Sequence, residues 1–413
     1  MDFKAMRIIK RLRSAIKTAA MFARHRFPPL KRRPGTLFIG YAEGDLGLGQ
    51  SFRSNVVAAL QAGVRLAIYP FNVGIETRMI DPFMPAYYDT SHTYKINIIE
   101  VAPDQTPIVF QNIDPRITRN SYNILRTFWE LPQAPEAWRP MLAGINEIWA
   151  PNRFVADALR GVFPGKITII SPTVDTDDGP FEGRSAFGLD PDRFYFLFSF
   201  DYFSSPYRKN PLAVLQAFQD AFANGADRVG LIIKAIGATE HFSEIKAVFQ
   251  EAAKRDRRII LIERTLKRAE MLNLIYSCDC YVSLHRSEGF GAGMAEAMSL
   301  GKPVIGTNFS GNTEFLTQDN GFPVSYTLRP VEQHEYNWSD NQVWADPDVG
   351  AAAAAMRLVV EKPELGKQRA LSGQAFVKAK YWPATVGQAM KNRISDIEYQ
   401  SRWWKFGGGH RGS

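Results

Sequence analysis

The residues of this chain best suited to chemistry lie in Ser283 to Gly306, SLHRSEGFGAGMAEAMSLGKPVIG, where Glu288 and Glu296 stand eight positions apart around Gly289, Gly291 and Gly293. The apolar run Cys280 to Leu284 reads as a buried strand, the glycines as a turn that lets backbone approach a ligand, and Met294 to Leu300 as a helix. Free N–H groups at a helix start favour an anion. One carboxylate at the mouth of the turn and another along the helix can then face the two ends of a bound phosphate, so the expected ligand carries hydroxyls flanking phosphates. A second constellation, Tyr207-Arg208-Lys209-Asn210-Pro211, places two adjacent cations where a helix is expected to begin. There they oppose the helix dipole, which an anion such as a diphosphate would relieve; a solvated surface pair is the alternative. Lys234 lies at the carboxyl end of the next expected strand and is the weaker candidate, because a strand-end lysine is commonly just surface.

These residues need a scaffold, and the pattern after Pro34 supplies one. Thr36–Gly40, 64–69, 96–101, 123–128, 147–150 and 166–170 read as strands, alternating with helices over 50–62, around 135–143 and over 153–160. A second alternating series runs from Phe194 to Gly306, with strands at 194–200, 229–235, 259–262, 280–284 and 304–306. Its helices are expected over 210–223, 242–253, 267–276 and 294–300. Asp346 and Pro347 look like the cap and first position of a further helix through Val360, and two more helical stretches, 363–380 and 384–398, close the chain. The pattern predicts an α/β protein of two doubly wound, Rossmann-like domains, 35–175 and 193–382, joined by a Pro- and Asp-rich linker at 176–192. Ligands of such sheets bind at the carboxyl ends of the strands, and two facing units would place a site between them.

With 413 residues, 45% of them hydrophobic and 22% charged, the composition is that of a globular chain long enough for two cores. The net charge of +8 is unevenly placed: residues 1–33 hold eleven Lys or Arg and one acid, and the remainder is −2. Within this tail Ala5, Ile9, Leu12, Ile16, Ala20 and Ala23 form one apolar stripe on an otherwise cationic helix. That is the pattern of a helix lying on an anionic membrane surface, against the alternatives of a solvated tail, a nucleic-acid arm or a targeting peptide. No apolar run reaches the roughly 18 residues that span a bilayer. The expected location is cytoplasmic and peripheral to the membrane, with no nucleic-acid partner.

Several other readings fail on inspection. Gly44-Asp45-Leu46-Gly47-Leu48-Gly49 follows a strand, but a dinucleotide fingerprint starting at Gly47 needs glycine where Phe52 stands. A loop that approaches a phosphate or sugar and a plain structural turn both remain open for it. Retaining hydrolases hold two carboxyls about 5 Å apart across a sugar, a spacing that Glu288 and Glu296 would meet only by accident. Asp190-Pro191-Asp192 and Asp346-Pro347-Asp348 read as turn and cap residues, and no metal is expected. Cys278 and Cys280 read as core residues. The six histidines show no ligand spacing, and only His285 lies beside the glycine turn, within reach of a substrate.

Glu288-Gly-Phe-Gly-Ala-Gly-Met-Ala-Glu296, followed by Ala297-Met298 and Gly301-Lys302-Pro303-Val304-Ile305, resembles the donor site of family 4 retaining glycosyltransferases of GT-B fold. The likeness extends to Gly47-Leu48-Gly49 with Arg53, Trp149-Ala150-Pro151-Asn152 with Phe154, Arg208-Lys209-Asn210-Pro211 and Gly311-Asn312-Thr313-Glu314, and covers roughly residues 35–400. The resemblance implies two Rossmann-like domains facing across a cleft, with the helix from Ala384 returning to the first domain. It implies transfer of a sugar from a nucleotide diphosphate sugar, without cofactor or metal, to a saccharide or lipid-linked acceptor. It further implies that Glu296 holds the ribose and that Glu288, with the amides of Phe290, Gly291 and Ala292, meets the sugar and diphosphate. Lys209 and Arg208 would stabilise the leaving group, while Thr265 and Leu266 cradle the base. Gly47 and Gly49 would lie on the acceptor side. Two positions depart from the family pattern: Ser199-Phe200-Asp201 stands in place of a Gly-Arg pair, and Thr127-Phe128-Trp129-Glu130-Leu131 carries no histidine, leaving Trp129 or Glu130 for that place. A non-catalytic nucleotide-sugar-binding protein of the same fold is the alternative reading.

Overall fold

The computed structural model describes residues 30–406 apart from 76–77, 178, 226–227 and 238–241, and of residues 401–406 only the helical backbone. Most of the basic tail therefore lies outside the described residues. The chain divides into two compact units, one holding the residues up to Trp129, Gln133–Thr173 and those from Tyr381 onward, the other Glu130–Pro132 and Val174–Lys380.

The first unit is built on β1 (Thr36–Gly40), α1 (Gly47–Gln61), β2 (Leu66–Pro70), β3 (Ile96–Glu100), α2 (Thr106–Asn112), α3 (Pro115–Arg119), β4 (Tyr122–Arg126), β5 (Glu147–Ala150), α4 (Arg153–Arg160) and β6 (Lys166–Ile169). Its six strands form one parallel sheet in the order β2-β1-β3-β4-β5-β6. β1 and β3 are buried along their whole length, as continuous apolar strands of a sheet covered on both faces must be. The helix expected around 135–143 is only a single 3-10 turn, Glu136–Trp138, because Pro135 and Pro140 bracket too short a stretch for regular i to i−4 bonding.

The last helix of the chain, Pro383–Phe406, packs on α1 within this first unit. Val386, Met390, Ile394 and Ile397 share one core cluster with Phe52 and Val56. Gly387 lets the two helices approach so closely that a Cβ there would lie 2.1 Å from the carbonyl oxygen of Ala58. Arg393 reaches the buried Glu147 through two hydrogen bonds of 2.9 and 2.6 Å, and Thr168 (2.6 Å), Tyr122 (2.9 Å) and the Trp149 indole N–H (3.1 Å) donate to the same carboxylate.

The second unit repeats the scheme with β7 (Phe194–Asp201), α5 (Pro206–Lys209), α6 (Pro211–Ala221), β8 (Val229–Ile236), α7 (Ser243–Arg255), β9 (Ile259–Ile262), α8 (Arg268–Ser277), β10 (Cys280–Ser283), α9 (Ala292–Ser299), β11 (Val304–Thr307) and β12 (Phe322–Val324). The parallel order is β12-β11-β10-β7-β8-β9. A two-stranded antiparallel pair, β13 (Tyr326–Pro330) and β14 (Val343–Pro347), precedes α10 (Val349–Glu361) and α11 (Pro363–Tyr381). Asp346 and Pro347 thus end a strand, and the cap of α10 is Asp348, whose carboxylate accepts the N–H of Ala351 at 2.9 Å. The two α/β units with parallel sheets agree with the fold class read from the sequence. Residues 176–192 pack within the second unit: Phe181 stacks on Tyr276 at 5.0 Å, and Arg184 pairs with Asp279 at 2.6 Å.

Candidate functional site

The glycine turn and α9 owe their shape to two glycines. Gly291 precedes the helix with φ +89°, a left-handed conformation that side chains resist. Gly293 lets the first turn of α9 settle on β10, since a Cβ there would fall 2.4 Å from the Tyr281 hydroxyl oxygen. The helix begins two residues earlier than its apolar pattern suggests, at Ala292, which is exposed. Its first N–H groups have no acceptor within the helix.

Arg208 and Lys209 lie at the end of a helix, not at the start of one. They close the single turn α5, after which Asn210 turns left-handed (φ +52°) and α6 begins at Pro211. Their charges therefore suit the local dipole, and the argument for an anion has to rest on burial instead. The turn is fastened to the segment after β10: Arg286 donates its N–H to the Arg208 carbonyl at 2.7 Å, and the Asn210 amide donates to the Leu284 carbonyl at 3.0 Å. Consequently the Glu288 carboxylate meets both cations, Arg208 at 3.1 Å and Lys209 by a short hydrogen bond. Arg208 also donates to the Ser287 carbonyl at 2.9 Å, and Glu288 is held at its backbone by Ser310 and Gly311.

The electrostatics follow from that packing. Burial alone would raise the Glu288 carboxyl, but Lys209 and Arg208 more than offset it and hold it down at about 2. Arg208 is also buried, yet Glu288, Tyr336 and Glu130 keep it firmly charged and push its value up. Lys209 goes the other way: burial and the neighbouring Arg208 lower it despite Glu288. The positive charge of this cluster is thus incompletely compensated at Lys209, and an added anion would be stabilising there.

Glu296 lies in the second turn of α9 and pairs with Arg268 at 2.5 Å; Arg268 donates in turn to the Asp175 carbonyl at 2.8 Å. Thr265, exposed, and Leu266, half-buried, lie in the loop that leads directly into Arg268. Arg268 escaped the sequence reading because one arginine at a helix start carries no motif. Phe290 is buried with its ring edge-on to Phe315 at 5.2 Å, so its backbone is what it offers a ligand.

His285 is not a ligand-facing residue. It is fully buried, with the Ser283 hydroxyl at 3.2 Å from Nδ1 and the Asn312 side-chain oxygen at 3.0 Å from Nε2, and burial lowers its pKa. Such a ring is neutral and donates from Nε2 to Asn312. Lys234, the weaker candidate because strand-end lysines are commonly just surface, is buried within β8. Both cysteines are buried free thiols.

The positions assigned to the acceptor side separate. In the first unit Gly47 starts α1 with open space around it, and Gly49 is packed where a Cβ would lie 2.2 Å from the Gly44 carbonyl oxygen. Arg53 closes that loop by donating to the carbonyls of Ala42 (3.2 Å) and Gly44 (2.9 Å). Trp129 is buried edge-on to Trp138, its indole N–H donating to Gln133 at 2.9 Å. Glu130 belongs to the second unit, where its carbonyl accepts the Ser287 hydroxyl and its carboxylate the Tyr336 hydroxyl at 2.9 Å. Among the described residues no cluster of three or more His, Cys, Asp or Glu could hold a metal, and no helix is long and apolar enough to cross a membrane.

Every member of the Glu288–Arg208–Lys209 cluster, with Glu296 and Arg268, falls in one stretch of chain that has recognisable relatives. Residues 186–370 match the family model "Glycosyl transferases group 1". Over most of the chain there is also a likeness of architecture. An Anabaena protein, Alr3699/HepE, solved in complex with UDP and glucose, superposes with a TM-score of 0.62 at 14% identity over 88% of this chain and 100% of that one. A sucrose-phosphate synthase from Thermosynechococcus elongatus gives 0.64 at 15% identity over 89% of this chain and all of that one. In sequence, human alpha-1,3/1,6-mannosyltransferase ALG2 is 24% identical over 177 residues, 41% of this chain and 37% of that protein. The chain matches little more than a third of the length of its curated relatives. The structural likenesses show the GT-B fold, and the match to the group 1 model covers residues 186–370, less than half of the chain.

Proposed function

We propose that this chain is a retaining glycosyltransferase of the family 4 type that moves a sugar from a UDP- or GDP-sugar to a saccharide or lipid-linked saccharide, in the synthesis of a surface polysaccharide or glycolipid. The observation that carries the reading is the buried Arg208–Lys209 pair on Glu288, beside the free N–H groups of α9 and within the group 1 segment. In this reading the diphosphate lies against Lys209, Arg208 and the amides of Phe290 to Ala292, which are fixed before the reaction and aimed at the charge that develops on the leaving group. No divalent metal is then required. The acceptor hydroxyl attacks the anomeric carbon from the face the diphosphate leaves, and its proton passes to the departing phosphate, so no protein base is needed. Glu296 takes the ribose hydroxyls, either sharing its carboxylate with Arg268 or exchanging that partner for them, and Thr265 and Leu266 flank the base. Gly47, Gly49, Trp129 and Glu130 are assigned to the acceptor side. A protein that binds the donor without turning it over would not need Lys209 aimed at the leaving group.

The test of the donor site is Glu296→Ala. Loss of one charge-assisted pair of contacts to the ribose is expected to raise the KM for the nucleotide sugar roughly tenfold or more, with a smaller change in kcat. Unchanged KM over a panel of UDP- and GDP-sugars, with and without a lipid acceptor, would remove the assignment.

We also infer that residues 1–33 bind an anionic membrane surface at the cytoplasmic face. The full chain is expected to sediment with vesicles containing phosphatidylserine and to be released by salt, while a variant lacking residues 1–33 stays in the supernatant. Equal sedimentation of both would end the idea.

A further inference from the structure

Lys234 is a buried charge that this reading leaves unused. Along β8, Leu231, Ile233 and Ala235 join a core cluster with Phe196, Phe198 and Phe200 of β7 and with Cys280 and Val282 of β10. Strand alternation puts Lys234 on the opposite face, beside its register partner Ser199 on β7. The Ser199 hydroxyl is hydrogen-bonded to the Tyr281 hydroxyl of β10 at 2.7 Å, and the first turn of α9 rests on Tyr281 through Gly293. Lys234, Ser199 and Tyr281 therefore form a polar row across three adjacent strands, on the face covered by the helix that opens the candidate site.

The side chain of Lys234 has little to hold it there. The residue is 4% exposed, and its ammonium contacts the Ala235 carbonyl at 3.5 Å, the outer limit of a hydrogen bond. Among the described residues it forms no ion pair. The charged groups that act on it are Asp201, on the same face of β7, and Arg264, from the loop after β9. Asp201 is turned toward its own chain, accepting the Phe203 N–H at 2.9 Å, and shares its charge with Lys209 as well as Lys234. Burial and the repulsion of Arg264 outweigh Asp201 and lower Lys234 to about 8. A buried ammonium without a paired anion at the carboxyl end of a parallel sheet is one that a bound anion would stabilise.

We propose that Lys234 is a third cation of the donor site, whose ammonium hydrogen-bonds the diphosphate of the nucleotide sugar. The inference rests on the donor-site reading and adds a property that Arg208 and Glu288 do not supply. A group half-protonated near pH 8 must take up a proton as the anion binds, so donor affinity falls as pH rises through that value, whereas below it the ammonium is already formed.

Calorimetric titration with UDP and with GDP tests this, at pH 7 and pH 9 and, at pH 8, in two buffers of different ionisation enthalpy. The wild-type chain is expected to lose about tenfold in affinity between pH 7 and pH 9 and to take up about half a proton per nucleotide at pH 8. Lys234→Arg should bind with a flat pH profile and no matching proton uptake. Lys234→Met, similar in shape, should bind about tenfold more weakly at pH 7 and show no further loss at pH 9. If wild type binds either nucleotide and Lys234→Met binds it equally, with the same pH profile, the proposal is overturned while the donor site stands. If wild type binds neither nucleotide, the donor-site reading falls and this inference with it.

Discussion

Lys209→Ala is expected to lower kcat by roughly 10²–10³ while changing the KM for the nucleotide sugar only a few-fold. The asymmetry follows from what the ammonium faces. In the ground state a diphosphate shares its charge among Lys209, Arg208, Lys234 and the amides of the helix start, and losing one of these partners is tolerable. As the glycosidic bond breaks, negative charge grows on the leaving oxygen, and the fixed cation nearest to it contributes most. The burial that lowers Lys209 makes it the member of the cluster with the most to gain from that charge. Arg208 remains on Glu288 at 3.1 Å in the variant, so the carboxylate keeps one partner and the fold is expected to persist. Release of nucleoside diphosphate, measured at saturating donor alongside a far-ultraviolet spectrum, checks both halves of this statement. A correctly folded variant with kcat within threefold of wild type would take the leaving-group role away from Lys209.

The second large effect concerns stability. Arg393→Ala is expected to destabilise the first unit by about 3–5 kcal/mol, because it leaves Glu147 as a buried charge without its cation. For a unit of this size that corresponds to roughly 10 °C in Tm. The pH dependence has a definite sign. In the wild type burial would raise Glu147, but Arg393, Thr168 and Tyr122 together lower it. Its contribution is therefore fully present above the ordinary carboxylate value and is lost as pH falls through the lowered one. Without Arg393 the buried carboxyl is raised instead, so protonation relieves the variant and its deficit shrinks from pH 7.5 toward pH 5. Thermal unfolding of both proteins at the two pH values reads this out. A deficit that is small at pH 7.5, or that grows on acidification, would mean that the ion pair is not what fastens the last helix.

Much of the architecture is legible in local pattern, since strands such as Thr36–Gly40 and Ile259–Ile262 are largely apolar runs bounded by turn residues. Where the sequence misleads, a distant contact decides. Asp346-Pro347-Asp348 holds two candidate caps, and Asp348 is the one used because β14 pairs with β13 through Asp346 and Pro347. In the same way Arg208 and Lys209 can be picked out one by one, but their meeting with Glu288 depends on β7 and β10 being neighbours in the sheet. Nothing within seventy residues of either encodes that. For Lys234 the strand is legible but its surroundings are not: the lysine lies inside β8, and alternation, not nearness to the end of the strand, sets it beside Ser199.

The last helix has a further consequence, for the order in which the protein can be made. Its residues Val386, Met390 and Ile394 complete a core whose other members, Phe38, Phe52 and Ile98, leave the ribosome long before them, with the roughly two hundred residues of the second unit in between. At 5–20 residues per second that interval is on the order of 10–40 s. Throughout it α1 presents an uncovered apolar stripe, while the second unit, continuous apart from Glu130–Pro132, has every strand it needs by the end of the interval. The later-born half of the molecule is thus free to finish first, and the earlier-born half stays a client for chaperones until its final segment arrives.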